Sequence, residues 1–596
     1  MPKFSECWRC GNTIGVGIIC ELCGVAKYCS EKCLKNDKFR HETECIPASI
    51  LKTCTSCRKS GPNQKACTGC YQAFYCDIHC QKSNWERHKI DCQANKETIE
   101  STAKLILAHY FISYEKTTSV CPYFYWGNVP AFDCLNLAEN EGLAFKSPLN
   151  VLILGVGDLR NVALTCASLP DSYSDKILFT MNDRETCVLA RIVLFLYMLM
   201  KGDLGIEKVV SEIWYSMLLS LATYESLRAS LKELIALTSA QNLLSETTGL
   251  ISVGETQFKQ IRHVWKTWLG LEVQGTRWIK KRRKEKMNSD VEYLARNSAY
   301  IKNVPVEHAD AVKKWIEDGV FKRTQAPIFA ENPTLTGVDR AARYAPYSYA
   351  IPPENVPFSG WDYVQVKKFK SSNCLVTMYG DYIECILRNF MNRLSKKQIS
   401  FQIALCDCLD IKQHLESGTM YDRILTSNLM DYVFLPNLLK LGSQLLNHDN
   451  HHATIITETI LWARDIMPEG DIPWPSNKLQ LPKFERISFE DTKRSFAMDG
   501  GTSVREYLDN SCEFFQYLRA LFYAHRLKRT EESGSFSRKP TIPVIKELGN
   551  EFQLRLRDGI RNENRIVFFR PAINRRTVTI VTGMERYLEW VPLQKK

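Results

Sequence analysis

Sixteen residues between Cys7 and Cys92 carry the densest chemistry in this sequence, and they are written twice with one spacing. The first copy is Cys7, Cys10, Cys20, Cys23, Cys29, Cys33, His41 and Cys45; the second is Cys54, Cys57, Cys67, Cys70, Cys76, Cys80, His88 and Cys92. Both read Cys-x2-Cys-x9-Cys-x2-Cys-x5-Cys-x3-Cys-x7-His-x3-Cys. Thiolate and neutral imidazole are the ligands that borderline-soft zinc prefers, and a structural zinc ion closes its tetrahedron with four of them. Eight ligands per copy therefore imply two ions in each, four Zn2+ in all. Disulfides are the competing use of cysteine, but a duplicated pattern that includes histidine has no reason to arise from disulfide pairing, and no secretory signal is visible. A Cys-x2-Cys pair bends the chain into a knuckle, whereas Cys-x3-Cys and His-x3-Cys place two ligands one helical turn apart. Each copy is expected to be two knuckles followed by a helical hairpin.

The two copies resemble MYND-type zinc fingers, down to Tyr28 and Tyr75 immediately before the fifth ligands. That resemblance implies cross-bracing, with Cys7, Cys10, Cys29 and Cys33 on one ion and Cys20, Cys23, His41 and Cys45 on the next. In the second copy it implies Cys54, Cys57, Cys76 and Cys80, then Cys67, Cys70, His88 and Cys92. Spacing alone leaves sequential pairing equally open. MYND fingers that hold proline-rich peptides are similar to the second copy at Gln81 and Trp85, with Thr68 where the family usually has serine. A glutamine can hydrogen-bond a peptide backbone, and an indole offers a flat apolar face to proline in an extended segment. Packing on the finger's own small core is the other use for Trp85. The corresponding positions of the first copy are Glu21, Leu34 and Lys38, which lack that chemistry.

These ligands also correct the charge. The 596 residues carry a formal +12 with every cysteine neutral, and fourteen bound thiolates with four zinc ions bring the holo chain to about +6. Bulk charge thus gives little support for nucleic acid. The basic run Lys280, Lys281, Arg282, Arg283, Lys284 and Lys286 could be an import signal or a solvated face. Nine further cysteines, scattered in apolar runs, read as reduced core residues and suggest a cytoplasmic or nuclear home. The longest apolar run, Val188 to Met200, contains Arg191 and is too short to cross a bilayer. His448, His451 and His452 could take a metal or form an exposed loop tip.

Elements that position a second candidate site begin at Leu149. The stretch NVLILGVG reads as a strand ending in glycines, followed by helical DLRNVALTCASL, strand KILFTMND and a helix from Arg184 to Met200: a βαβα unit. Gly155, Gly157 and Asp158 at the strand-to-helix turn, with Asp183 ending the second strand, are placed as in nucleotide and S-adenosylmethionine sites. A methyltransferase of the usual kind has a third glycine where this chain has Leu159, and an acidic residue where it has Ile153. The same turn also suits helix-strand packing without a ligand, with Asp158 as N-cap. Strand signals resume at SFQIALCDCLDI, YDRILTSNLMDYV and ATIITETILW, after about two hundred residues read as a helical insertion.

The motifs LILGVGD, ENPTLTG, YDRILTSNLMDYV and ATIITETIL resemble a domain of unknown function in MYND-finger proteins of fungi and invertebrates. A related version forms the N-terminal part of the third dynein axonemal assembly factor. The resemblance implies a Rossmann-like fold with no activity to transfer. Beyond it, Val504 to Arg529 reads as a long helix, and FQLRLRD, RIVFFRP and RTVTIVTG as short strands. The expected architecture is multidomain: fingers at 1–48 and 49–95, an α/β Rossmann-like domain with a large helical insertion at 96–468, and a C-terminal α+β extension at 469–596. The expected function is a protein-interaction adaptor whose second finger binds a proline-rich segment, with no membrane and no nucleic acid. The alternative is an S-adenosylmethionine-dependent methyltransferase, or an inactive relative.

Overall fold

The computed structural model describes residues 7, 14, 17–21 and 26–35 of the first finger. It further describes 53–59, 64–116, 125–274, 281, 306–321, 327–338, 347–349, 357–366, 368–369, 374–462, 511–533, 539–557, 564–567 and 585–593. In each finger a two-residue ribbon follows the first knuckle. Strand β1 (Ile18–Ile19) pairs antiparallel with β2 (Lys27–Tyr28), and β3 (Lys65–Ala66) with β4 (Phe74–Tyr75). The ladders share one register, Ile18 opposite Tyr28 and Lys65 opposite Tyr75.

The second finger ends in the expected hairpin. Asp77 caps helix α1 (Ile78–Ser83) by accepting the Cys80 N–H at 2.8 Å. Asn84 breaks the chain, donating to the Tyr75 hydroxyl at 3.2 Å, and helix α2 (Trp85–Lys116) starts at once. Sequence periodicity predicts a connecting helix only from Glu97. Instead, the helix that carries His88 and Cys92 runs for 32 residues without interruption and buries Ile99, Ala103 and Ile106 in the body. The ligands and polar residues of its first turns hide the apolar period there.

The body is built on strands β5 (Leu149–Leu154) and β6 (Ile177–Asp183), joined by α3 (Arg160–Ser168), with α4 (Thr186–Lys201) following. Helix α4 is apolar all round and buried. Its Arg191 is accommodated because the guanidinium donates to the Ile213 carbonyl at 2.9 Å and the Trp214 carbonyl at 2.7 Å, at the C-terminal end of the following helix, Ile206–Tyr215.

Later segments add β7 (Ile251–Val253), helix α5 (Leu375–Ser395), β8 (Ile399–Leu405), β9 (Arg423–Leu425), helix α6 (Leu435–Leu445) and β10 (Thr454–Thr459). Helix α7 (Ser511–Glu532), β11 (Leu554–Leu556) and β12 (Arg586–Pro592) close the set. One eight-stranded sheet results, in the order β11-β12-β10-β9-β5-β6-β8-β7. Strands β5 to β10 are parallel to one another, and β12 and β11 are added antiparallel beyond β10. Strand order reverses between β5 and β9. Alternate residues of β5 face opposite cores: Leu149, Val151 and Ile153 join α4 and α5, whereas Leu152 and Leu154 join α2, α6 and α7.

Two expectations need correction. The segment between the halves of the sheet is not purely helical, since β7 pairs with Phe401 to Ile403 and forms the sheet edge; a three-residue strand is too short to show a period. The C-terminal extension is no separate packing unit, because β11 and β12 complete the same sheet and α7 lies in its core. Strand β12 comes from RYLEWVP, which is buried on both faces and shows no alternation. RTVTIVTG lies outside the described residues, as do 504–510 of the predicted long helix and all of the basic run except Lys281.

Candidate metal centres and the face of the second finger

The hairpin and knuckles of the second finger gather its eight ligands into two groups. Cys54, Cys57, Cys76 and Cys80 form an outer cluster, and the buried Cys67, Cys70, His88 and Cys92 an inner one, with the ligand atoms of each within 4.8 Å of one another. This is the cross-braced grouping. Zinc-sulfur bonds of 2.3 Å in a tetrahedron place ligand atoms about 3.8 Å apart. Cys57 and Cys76 sulfurs lie 3.5 Å apart, as do the Cys70 sulfur and His88 Nε2. In the first finger Cys7, Cys29 and Cys33 come together, with 3.6 Å between the last two sulfurs. Cys20 is also described; Cys10, Cys23, His41 and Cys45 lie outside the described residues.

Electrostatics within the clusters point to a cation. The contact with Cys70 pulls the Cys67 thiol down to about 4, and the same contact pushes Cys70 up. In the outer cluster burial raises Cys54, but hydrogen bonds from Cys57 and Cys76 bring it to about 6; Cys80 is driven up to about 12 by burial and then by Cys54 and Cys57. Adjacent thiols cannot all ionise alone, and a divalent ion between them removes the conflict. Gly69 makes the inner knuckle feasible, since a Cβ there would lie 2.8 Å from the Cys92 sulfur.

Trp85 stands at the first position of α2. Its ring meets His88 edge to face at 6.1 Å, and it remains 41% exposed, whereas Tyr75 on the other side of His88 is buried. Gln81 is half-buried and Thr68 exposed. Ile78, one turn before Gln81 on α1, is 56% exposed and adds apolar surface that the sequence did not single out. Its position in a ligand-bearing helix gives no sign of which way it points.

At the glycine turn the groups expected to meet a ligand meet one another. Gly155 and Gly157 have φ of 64° and 59°, the left-handed region that suits glycine. The Gly157 N–H donates to Asp183 at 3.1 Å, and Glu185 N–H to the other oxygen at 3.0 Å. Burial raises the Asp183 carboxyl to about 6 despite these bonds. The Leu429 side chain lies 3.2 Å from where a Gly155 Cβ would be. Asp158 is buried, accepts from Gly127 N–H at 2.8 Å and pairs with Arg160 at 2.7 Å; the helix cap itself is Leu159. His448 Nε2 donates to the Ser443 carbonyl at 2.8 Å, and among the described residues the three histidines form no metal group.

Family comparison matches the MYND finger at residues 7–45 and 54–92, and the Domain of unknown function (DUF4470) at residues 125–219. No curated protein and no solved structure gives a match. The first match agrees with the ligand geometry: two zinc-binding MYND modules precede a large α/β domain, and four Zn2+ ions fit their clusters. MYND fingers are protein-interaction modules. Among the described residues no helix is long and apolar enough to cross a membrane.

Proposed function

We propose that the chain is a zinc-dependent adaptor whose second finger holds a proline-rich segment of a partner protein against Trp85. The observation that carries this reading is an indole 41% exposed yet fixed at the start of a helix by its contact with His88. Among the described residues the side chains of Gln81 and Thr68 have no hydrogen-bond partner, so both are available to a peptide backbone. A polyproline-type segment loses little conformational entropy on binding and presents ring faces to an indole. We read the body as a Rossmann-like platform, supported by its parallel strands and the reversal of order between β5 and β9. We assign it a role in assembling a complex in the cytoplasm, with the nucleus as a second compartment, a reading supported by the reduced thiols buried in the body. Calorimetric titration of a proline-rich peptide into the full chain tests the proposal, with Trp85→Ala binding much more weakly; equal binding by both proteins would sink it.

The alternative, an S-adenosylmethionine-dependent methyltransferase, draws on the position of Gly155, Gly157 and Asp183 at the carboxyl ends of β5 and β6, beside the reversal of strand order. Against it stand the internal bond from Gly157 to Asp183 and the cover supplied by Leu429. Titration with S-adenosylmethionine separates the readings: micromolar binding lost in Asp183→Ala supports the enzyme.

A further inference from the structure

Arg519 of α7 is only 3% exposed, yet among the described residues it has no carboxylate partner. Its Nε donates to the Pro543 carbonyl at 2.8 Å, its Nη1 to the Gly69 carbonyl at 2.7 Å, and its guanidinium lies 5.5 Å from the Tyr71 ring centre. A buried cation is costly unless a negative charge answers it. The group it meets on the finger is the carbonyl of Gly69, set between the ligands Cys67 and Cys70 of the inner cluster. Three thiolates and one neutral imidazole around a zinc ion carry one net negative charge, equal and opposite to the guanidinium.

The connection is also structural. The Gly69 carbonyl that accepts from Arg519 lies between the ligands Cys67 and Cys70, and a Cβ on Gly69 would lie 2.8 Å from the Cys92 sulfur and 3.6 Å from the Cys67 sulfur. Outer hydrogen bonds of this kind hold metal ligands in place. A second link runs beside it, from Gln516 of α7 to Asn95 of α2, whose amide donates to Gln72 at 2.9 Å. Tyr71, with φ of 59°, packs against the core that contains α7.

We infer that Arg519 is the counter-charge and positioning residue of the inner zinc site, so that loading of the second finger with metal and its docking on the body are one coupled event. The ion strengthens docking and docking retains the ion by the same factor, as linkage requires. The coupling holds whether or not the finger binds a peptide. It assigns to a body helix, distant in sequence, part of the metal chemistry of the finger.

The experiment uses the full chain with four zinc ions and a coloured chelator that reports release. In Arg519→Met one ion of the four leaves at least tenfold faster, while the others keep their wild-type rates. Arg519→Lys, which restores charge, recovers most of the retention. In the wild-type chain, alkylation of Cys67, Cys70 and Cys92 marks loss of the inner ion, and amide exchange in Ser511–Glu532 rises in step with it. Unchanged release in Arg519→Met, equal acceleration of all four ions, or no rescue by lysine would overturn the inference. Should Arg519→Met fail to fold, the wild-type exchange measurement decides, and a helix α7 indifferent to loss of the ion overturns it.

Discussion

The two fingers share ligands, spacing and strand register, yet they differ in what surrounds the metal. The second presents Trp85, Gln81 and Thr68, and its ligand helix α2 continues into the core of the body. The first has Glu21, Leu34 and Lys38 at the matching positions. Ligand spacing thus determines that zinc binds, but not what the bound module does. Its role follows from the few side chains between the ligands and from the element into which the last ligands lead.

The sharpest way to break this comparison is to remove a matched ligand from each finger. Cys67→Ser should cost on the order of 5 kcal/mol, because loss of a structural metal is among the largest single-site effects, and hydrogen exchange should show α7 opening. Cys20→Ser should lose an ion as well but leave exchange in α7 unchanged. Similar exchange in both variants would erase the distinction between the fingers.

Peptide recognition gives the next largest effect. Trp85→Ala should weaken a proline-rich ligand by about 2 kcal/mol, roughly 30-fold, as truncation of an aromatic anchor does. Leu34→Ala in the first finger should leave calorimetric affinity as it was. If the Leu34 variant loses affinity as well, both fingers form the site.

Finger and body should also respond to pH in opposite directions. Thiolates must be deprotonated to hold zinc, so metal retention declines as pH falls. In the body, burial pushes the Glu458 carboxyl from its usual 4.5 up to about 8. Its proton is therefore held more tightly in the folded state, and the associated stability is full below about pH 4.5 and is lost as pH rises through about 8. Urea midpoints between pH 5 and 8 should fall with rising pH in the wild type and flatten in Glu458→Gln. The smallest effect is expected from Asp183→Ala, which removes the acceptor of two backbone N–H groups. A loss of about 1 kcal/mol in urea unfolding, with no change in zinc content, would confine its role to the body.

Legibility in the sequence followed the range of the interactions. Cys and His at fixed spacing exposed the metal sites because the ligands of each finger lie within one short stretch. Strands β5, β6 and β10 were legible as apolar runs bounded by turn residues. The continuity of α2 was not, since His88, Cys92 and polar neighbours break its apolar period near the start. Arg519 gave no signal either: it reads as one basic residue in an aromatic helix, and its partner Gly69 lies 450 positions away. At the glycine turn the sequence placed Gly157 and Asp183 close together, but only the structure showed that they bond to each other.

Because α2 joins metal ligands and body through one continuous helix, its length acts as an angular register. Each residue of an α-helix advances the azimuth by about 100°. One residue inserted between Cys92 and Ile99 would swing the finger by about 100° around the helix axis, turning the Trp85 face with it and taking Gly69 away from Arg519. A four-residue insertion would restore all but about 40° of that turn while lifting the finger by roughly 6 Å. The direction in which the finger offers its indole is therefore encoded in a residue count, and frame-preserving indels in this helix are expected to be far less tolerated than substitutions on its exposed side.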